Sequence, residues 1–132
     1  MNKKKKILLI IGGAFILFGI MIGLFILNIK NQSDSIIKNL VMNPITLETV
    51  PDGSYTGSYS ITPVEVEVVV TVQNHQIISI ELVKHNNGLG SKAENIINSV
   101  IQEQSLDVDV ISGATVSSTT ILKAIEVALE GK

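Results

Sequence analysis

Two rhythms of apolar residues divide this chain. From Ile7 to Ile29 no charged residue interrupts an apolar run. At about 1.5 Å of rise per residue, that run is long enough for a hydrocarbon core of about 30 Å, so it predicts a transmembrane helix. A cleaved signal peptide is the competing reading, but its apolar region would span only about 7–15 residues before a small-x-small site. Here the run is longer and ends "LFILNIKNQS". A buried core helix is excluded, because every face is apolar and the rest of the chain is too small to surround it. Gly12, Gly13, Gly19 and Gly23 are tolerated in lipid.

Beyond residue 29 the rhythm weakens and then changes period. "NQSDSIIKNLVMNPITLETV" is polar, with Ile36, Ile37, Leu40 and Val41 supporting one or two helical turns that end by Pro44. Residues 30–50 therefore read as a stalk. A turn and a first strand come next in "PDGSYTGSY", Pro51 to Tyr59. Val64, Val66, Val68, Val70 and Val72 then alternate with Glu65, Glu67 and Thr71, which predicts a strand with one buried face. "QNHQ" offers a turn at Asn74 and His75, after which Ile78, Ile80 and Leu82 are expected inward, and Ser79 and Glu81 outward. One-sided strands joined by a tight turn make an antiparallel hairpin.

Helical spacing takes over at Ser91, with Ala93, Ile96, Ile97, Val100 and Ile101 on one stripe and Ser91 and Glu94 in a capping-box pattern. Asp107 to Ile111 reads as a short strand. Ile121, Leu122, Ala124, Ile125, Ala128 and Leu129 give a last amphipathic helix starting near Ser117 or Ser118. The order β-β-β-α-β-α predicts an α+β domain of about 80 residues, residues 51–132, with helices against one face of a mainly antiparallel sheet.

Charge and composition narrow the function classes. The 132 residues carry a net charge of −2, and four of the ten cations are Lys3, Lys4, Lys5 and Lys6. Those lysines place the N-terminus in the cytoplasm and the domain beyond the helix outside it. That domain is more acidic than the whole chain, which argues against a nucleic-acid partner. Without cysteine there are no disulfides, thiolate metal sites or cysteine nucleophiles. His75 and His85 are the only histidines and have no acidic pair at ligand spacing, so no metal is expected.

Two stretches could carry chemistry. "GLGSKA", Gly88 to Ala93, matches the dinucleotide fingerprint G-x-G-x-x-A with Asp107 downstream. A Rossmann unit, however, needs strands buried on both faces, and the preceding strand alternates. The hydroxyl cluster Ser112, Thr115, Ser117, Ser118, Thr119 and Thr120 could simply cap a helix. No Gly-x-Ser-x-Gly elbow is present, and no base in the chain is placed to activate Thr115. The setting does suit a phosphate, since a helix entrance offers free N–H groups and Gly113 and Ala114 allow close approach.

In "DVDVISGATVSS" the run Asp109-Val-Ile-Ser112-Gly113-Ala114-Thr115 fits the pattern Asp-x-x-(Ser/Thr)-Gly-Ala-Thr. With "DGSYTGSY", the hairpin and "HNNGLG" in the same order, about Asp52 to Leu129 resembles the FMN-binding domain of three groups of proteins. These are the flavin-carrying subunits of sodium-pumping NADH:quinone reductase, those of Rnf electron-transport complexes, and small flavin carriers of extracellular electron transfer. The resemblance implies FMN esterified through its phosphate to Thr115 by a separate flavin transferase using FAD and magnesium. It implies Asp109, Ser112, Gly113 and Ala114 as recognition residues, Val116 and Ser117 at the helix entrance, and the loop of His85, Gly88, Leu89 and Gly90 beside the flavin ring. It further implies a membrane-anchored electron carrier, not an enzyme with a substrate of its own, whose partners are redox proteins or a membrane quinone. Many relatives read His-x-Glu-Thr-Pro-Gly-Leu-Gly where this chain has the shorter "HNNGLG". A non-redox binding module in which "SGAT" only caps a helix is the alternative.

Overall fold

The computed structural model describes residues 1–86 and 90–130. It divides into two units, Met1–Gln32 and Ser33–Lys132. Helix α1 spans Lys3–Asn39 and is long and apolar enough to cross a membrane. Its large apolar side chains from Ile7 to Leu27 are 42–73% exposed, a surface suited to lipid and costly in water. Gly19 and Gly23 stand four residues apart on one helix face, and a Cβ on either would meet nothing within 4 Å.

The second unit is α+β. Strands β1 (Gly53–Ile61), β2 (Val64–Gln73) and β3 (Gln76–Asn86) form an antiparallel sheet in the order β1-β2-β3. Helices α2 (Ile96–Glu103) and α3 (Thr115–Glu130) come after it. The alternation of β2 holds residue by residue, because Val64, Val66, Val68, Val70 and Val72 are all buried. Each such valine contributes about 1.5 kcal/mol on leaving water. Ile96, Val100, Ile121, Ile125 and Leu129 close the core from the helical side.

The β2–β3 turn uses Asn74 and His75, both at positive φ (51° and 60°), as a two-residue type I′ hairpin turn demands. The Asn74 N–H donates to Asp52 Oδ1 at 2.8 Å, which ties this turn to the entry of β1. Tyr55 closes the same corner by donating its hydroxyl to the Pro51 carbonyl. Gly57, in mid-β1, lies directly beneath α3: a Cβ there would fall on the Ala124 carbonyl oxygen and the Ala128 amide nitrogen.

Four details differ from the pattern-based expectation. Ile78 is 50% exposed and Ile77 is buried, because the ladder slips between Thr71 and Val72 and leaves Ile78 as an extra residue. The bulge shifts the alternation by one residue, so Ile77 is inward before it and Ile80 and Leu82 are inward after it, the latter two as expected. A second slip, between Glu67 and Val68, puts Val83 outside and turns His85 inward. Ser91–Asn95 is a 3-10 turn with no capping box: Glu94 Oε1 lies 2.9 Å from His85 Nδ1 instead of reaching back to the turn. Asp107–Ile111 joins no sheet, and at the edge of β3 it is the Gln104 side chain that bonds Ile77. Gln104 Oε1 accepts the Ile77 N–H at 2.7 Å, and its Nε2 donates to the Ile77 carbonyl at 2.9 Å.

Residues 33–50 pack within this unit. Ser33 Oγ donates to the Thr62 carbonyl at 2.6 Å, and Val50 is fully buried. Lys123 Nζ donates to the Val41 carbonyl and, at 2.6 Å, to Glu126 Oε1, which also accepts from Asn43 Nδ2. Glu126 is fully buried, and among the described residues its Oε2 has no partner. Lys123 is thus the counter-charge of a carboxylate shut off from water. Lys123→Met is expected to cost about 3 kcal/mol by stranding that charge, with most of the loss recovered in the double variant Lys123→Met/Glu126→Leu. Urea titration of the three proteins checks this, and a double variant no more stable than the single one would refute it. On the open side of the sheet, Lys84 and Glu65 pair at 2.7 Å. The hydrogen bond from Lys84, then its charge, then Asn86, hold the Glu65 carboxyl below its ordinary range. Both groups are solvated, and the pair contributes little.

Candidate functional site

The site is assembled where α3 begins. The chain arrives along residues 107–110, which belong to no helix or strand, and reverses at Ile111–Ala114, where the Ala114 N–H donates to the Ile111 carbonyl at 2.9 Å. Gly113 takes φ +78° at the third position, the mark of a type II turn and a conformation that favours glycine. The helix starts at once. Ser118 N–H already donates to the Ala114 carbonyl, so α3 begins at Thr115 and not at the expected Ser117 or Ser118.

The hydroxyl cluster therefore does different work from capping. Ser118 is fully buried and its Oγ accepts the Ile111 N–H at 3.0 Å, fastening the incoming chain to the second half of the first turn. Thr120 Oγ1 donates back to the Val116 carbonyl at 2.7 Å. Ser117 and Thr119 are buried. Thr115 and Ser112 are the exposed hydroxyls of the cluster. Among the described residues, the N–H groups of Thr115, Val116 and Ser117 have no hydrogen-bond acceptor, as is usual in the first turn of a helix, where the partial positive charge of the helix lies.

The remaining expected residues separate into groups. Asp109 is exposed on the approach to the turn, Ala114 is 6% exposed, and Val116 packs against the core. The His85 side chain is 3% exposed, with Nδ1 directed at Glu94. Gly88 and Leu89 lie outside the described residues. Gly90 is buried, and its carbonyl accepts the Ala93 N–H to open the 3-10 turn. That turn delivers Lys92 to the site: its Nζ is 2.9 Å from where a Gly113 Cβ would stand. Sequence reasoning assigned Lys92 no role and gave Glu94 another one. Lys92 carries no spacing signal, because it reaches Gly113 only through the return of the chain after α2.

A groove of about 540 Å³ opens one turn along α3, walled by residues 37–45 and 105–110. Its lining is mainly apolar, with Leu106, Val108 and Leu122 facing Met42 and Ile45, and Thr119 on the α3 side. Among the described residues no three His, Asp or Glu side chains converge as metal ligands do. The strands lie in an antiparallel hairpin, which leaves "GLGSKA" without the βαβ crossover of a dinucleotide site.

A family model described as FMN-binding domain matches residues 62–130, from the β1–β2 turn to the end of α3. No curated protein matches the chain.

Proposed function

Because the chain belongs to the FMN-binding domain family, we propose that it is a membrane-anchored flavoprotein that carries FMN as a phosphoester on Thr115. It relays electrons between redox partners outside the cytoplasm and turns over no substrate of its own. The observation that carries this reading is an exposed Thr115 at a helix entrance whose first three N–H groups have no acceptor among the described residues, preceded by a glycine turn. Those residues suit the phosphate of FMN, because the N–H groups favour an anion. When bound, FMN supplies the redox chemistry.

The chain's own residues supply position. Thr115 is the acceptor, Asp109, Ser112, Gly113 and Ala114 are what the flavin transferase recognises, and Ser118 holds the turn in place. Lys3–Lys6 keep the N-terminus cytoplasmic, and residues 7–29 anchor the protein. Electrons then pass to proteins or a quinone at the membrane. The full chain, co-expressed with a flavin transferase and supplied with FAD and magnesium, is expected to keep its yellow chromophore through denaturation and gel filtration in urea. Complete release of flavin from the unfolded chain would overturn the ester.

A further inference from the structure

Among the described residues Lys92 makes no ion pair, and it lies inside the segment that matches the FMN-binding family. Its Nζ and Cε stand 2.9 and 3.4 Å from the position that a Gly113 Cβ would occupy, so the end of the side chain is laid over the bare glycine of the turn. Two residues further on is the Thr115 hydroxyl, with the unbonded N–H groups of α3 beside it. An ammonium over Gly113 and a helix entrance two residues on favour the same kind of group, a phosphate.

We propose that Lys92 is the positioning residue for the flavin phosphate, both while the ester forms and after it. This rests on the reading of Thr115 as the acceptor. In the transfer, Thr115 Oγ forms a bond to the flavin-side phosphorus of FAD. The bond from that phosphorus to the bridging oxygen breaks, AMP leaves with that oxygen, and the hydroxyl proton passes to the transferase or to water. Nothing is oxidised or reduced. The pyrophosphate brings two negative charges to the turn and the product diester keeps one, so a fixed ammonium stabilises the approach and then the product. The need for Lys92 to lie here also accounts for Gly113 beyond its φ: a side chain at 113 would displace the ammonium.

Flavin incorporation into the full-length protein, measured by intact mass with purified transferase, FAD and magnesium, tests this in wild type, Lys92→Gln, Lys92→Arg and Thr115→Ala. Lys92→Gln is expected to lower kcat/KM for the acceptor about ten- to hundred-fold, the size of a lost charged hydrogen bond. Lys92→Arg should restore most of it. Added KCl should slow the wild type and hardly affect Lys92→Gln. Thermal midpoints of the lysine variants should match the wild type, since the side chain is exposed. Loading of Lys92→Gln at the wild-type rate in low salt, or equal losses in Gln and Arg variants, would overturn the role of Lys92. A wild-type chain that takes no flavin would instead overturn the Thr115 reading, which keeps the two failures apart.

Discussion

Thr115→Ala is expected to abolish covalent flavin completely, leaving a chain of unmodified mass after incubation with transferase and FAD. The expectation is sharp because the other hydroxyls of the cluster are engaged or enclosed. Ser118 holds Ile111, Thr120 holds the Val116 carbonyl, and Ser117 and Thr119 are buried. Ser112 is the remaining exposed hydroxyl, on the turn before the helix. Thr115 itself is exposed, so its truncation should change stability by no more than about 0.5 kcal/mol. Loss of flavin with an unchanged unfolding midpoint would then be a chemical loss, not a folding defect. Thr115→Ser should still be loaded, since it keeps the hydroxyl at the same helix entrance. Flavin recovered on Ser112 in Thr115→Ala, or anywhere else in that variant, would sink the assignment.

Gly57→Leu should be the most damaging single change to the fold, and even Gly57→Ala should cost about 3 kcal/mol or more. Overpacking commonly costs about 1–3 kcal/mol when side chains can shift. At Gly57 the obstacle is backbone, the Ala124 carbonyl and the Ala128 amide of α3, with the Ala128 Cβ at 2.7 Å. Relief would require α3 to lift from β1, exposing Ile121, Ile125 and Leu129 together. Against a typical total of about 5–15 kcal/mol, that is a large fraction. Because α3 carries Thr115 at its first residue, the same change should also slow flavin loading. Urea unfolding of the wild type and both variants checks the stability, and an Ala variant with an unshifted midpoint would show that helix and strand are not in close contact.

The parts of this protein that arise from local pattern were legible in its sequence. Five alternating valines fixed β2 and its buried face, Asn74 and His75 marked the hairpin turn, and the apolar run from Ile7 announced α1. The glycine of "SGAT" and the order of residues around Thr115 pointed to the family that the comparison found. Each of these signals is carried by neighbours in the chain, through the period of a strand, the φ of a turn or the length of a helix.

What the sequence left undecided depends on pairing between distant segments. Nothing local to Ile78 or Val83 says that the ladder slips there, yet the two bulges put Ile77 in the core in place of Ile78 and carry His85 inward to Glu94. The side chain of Gln104 bonds Ile77 on the edge of β3, and Asp107–Ile111 forms no strand. Gly57 reads as one more residue of a polar strand until α3 is laid across it. The sequence by itself placed Thr115 just after a glycine and close to the start of the last helix. Only the tertiary structure decided that Lys92 lies over the glycine beside it, because that meeting depends on a 3-10 turn, α2 and the returning chain, whose path is set by packing and by no short-range period.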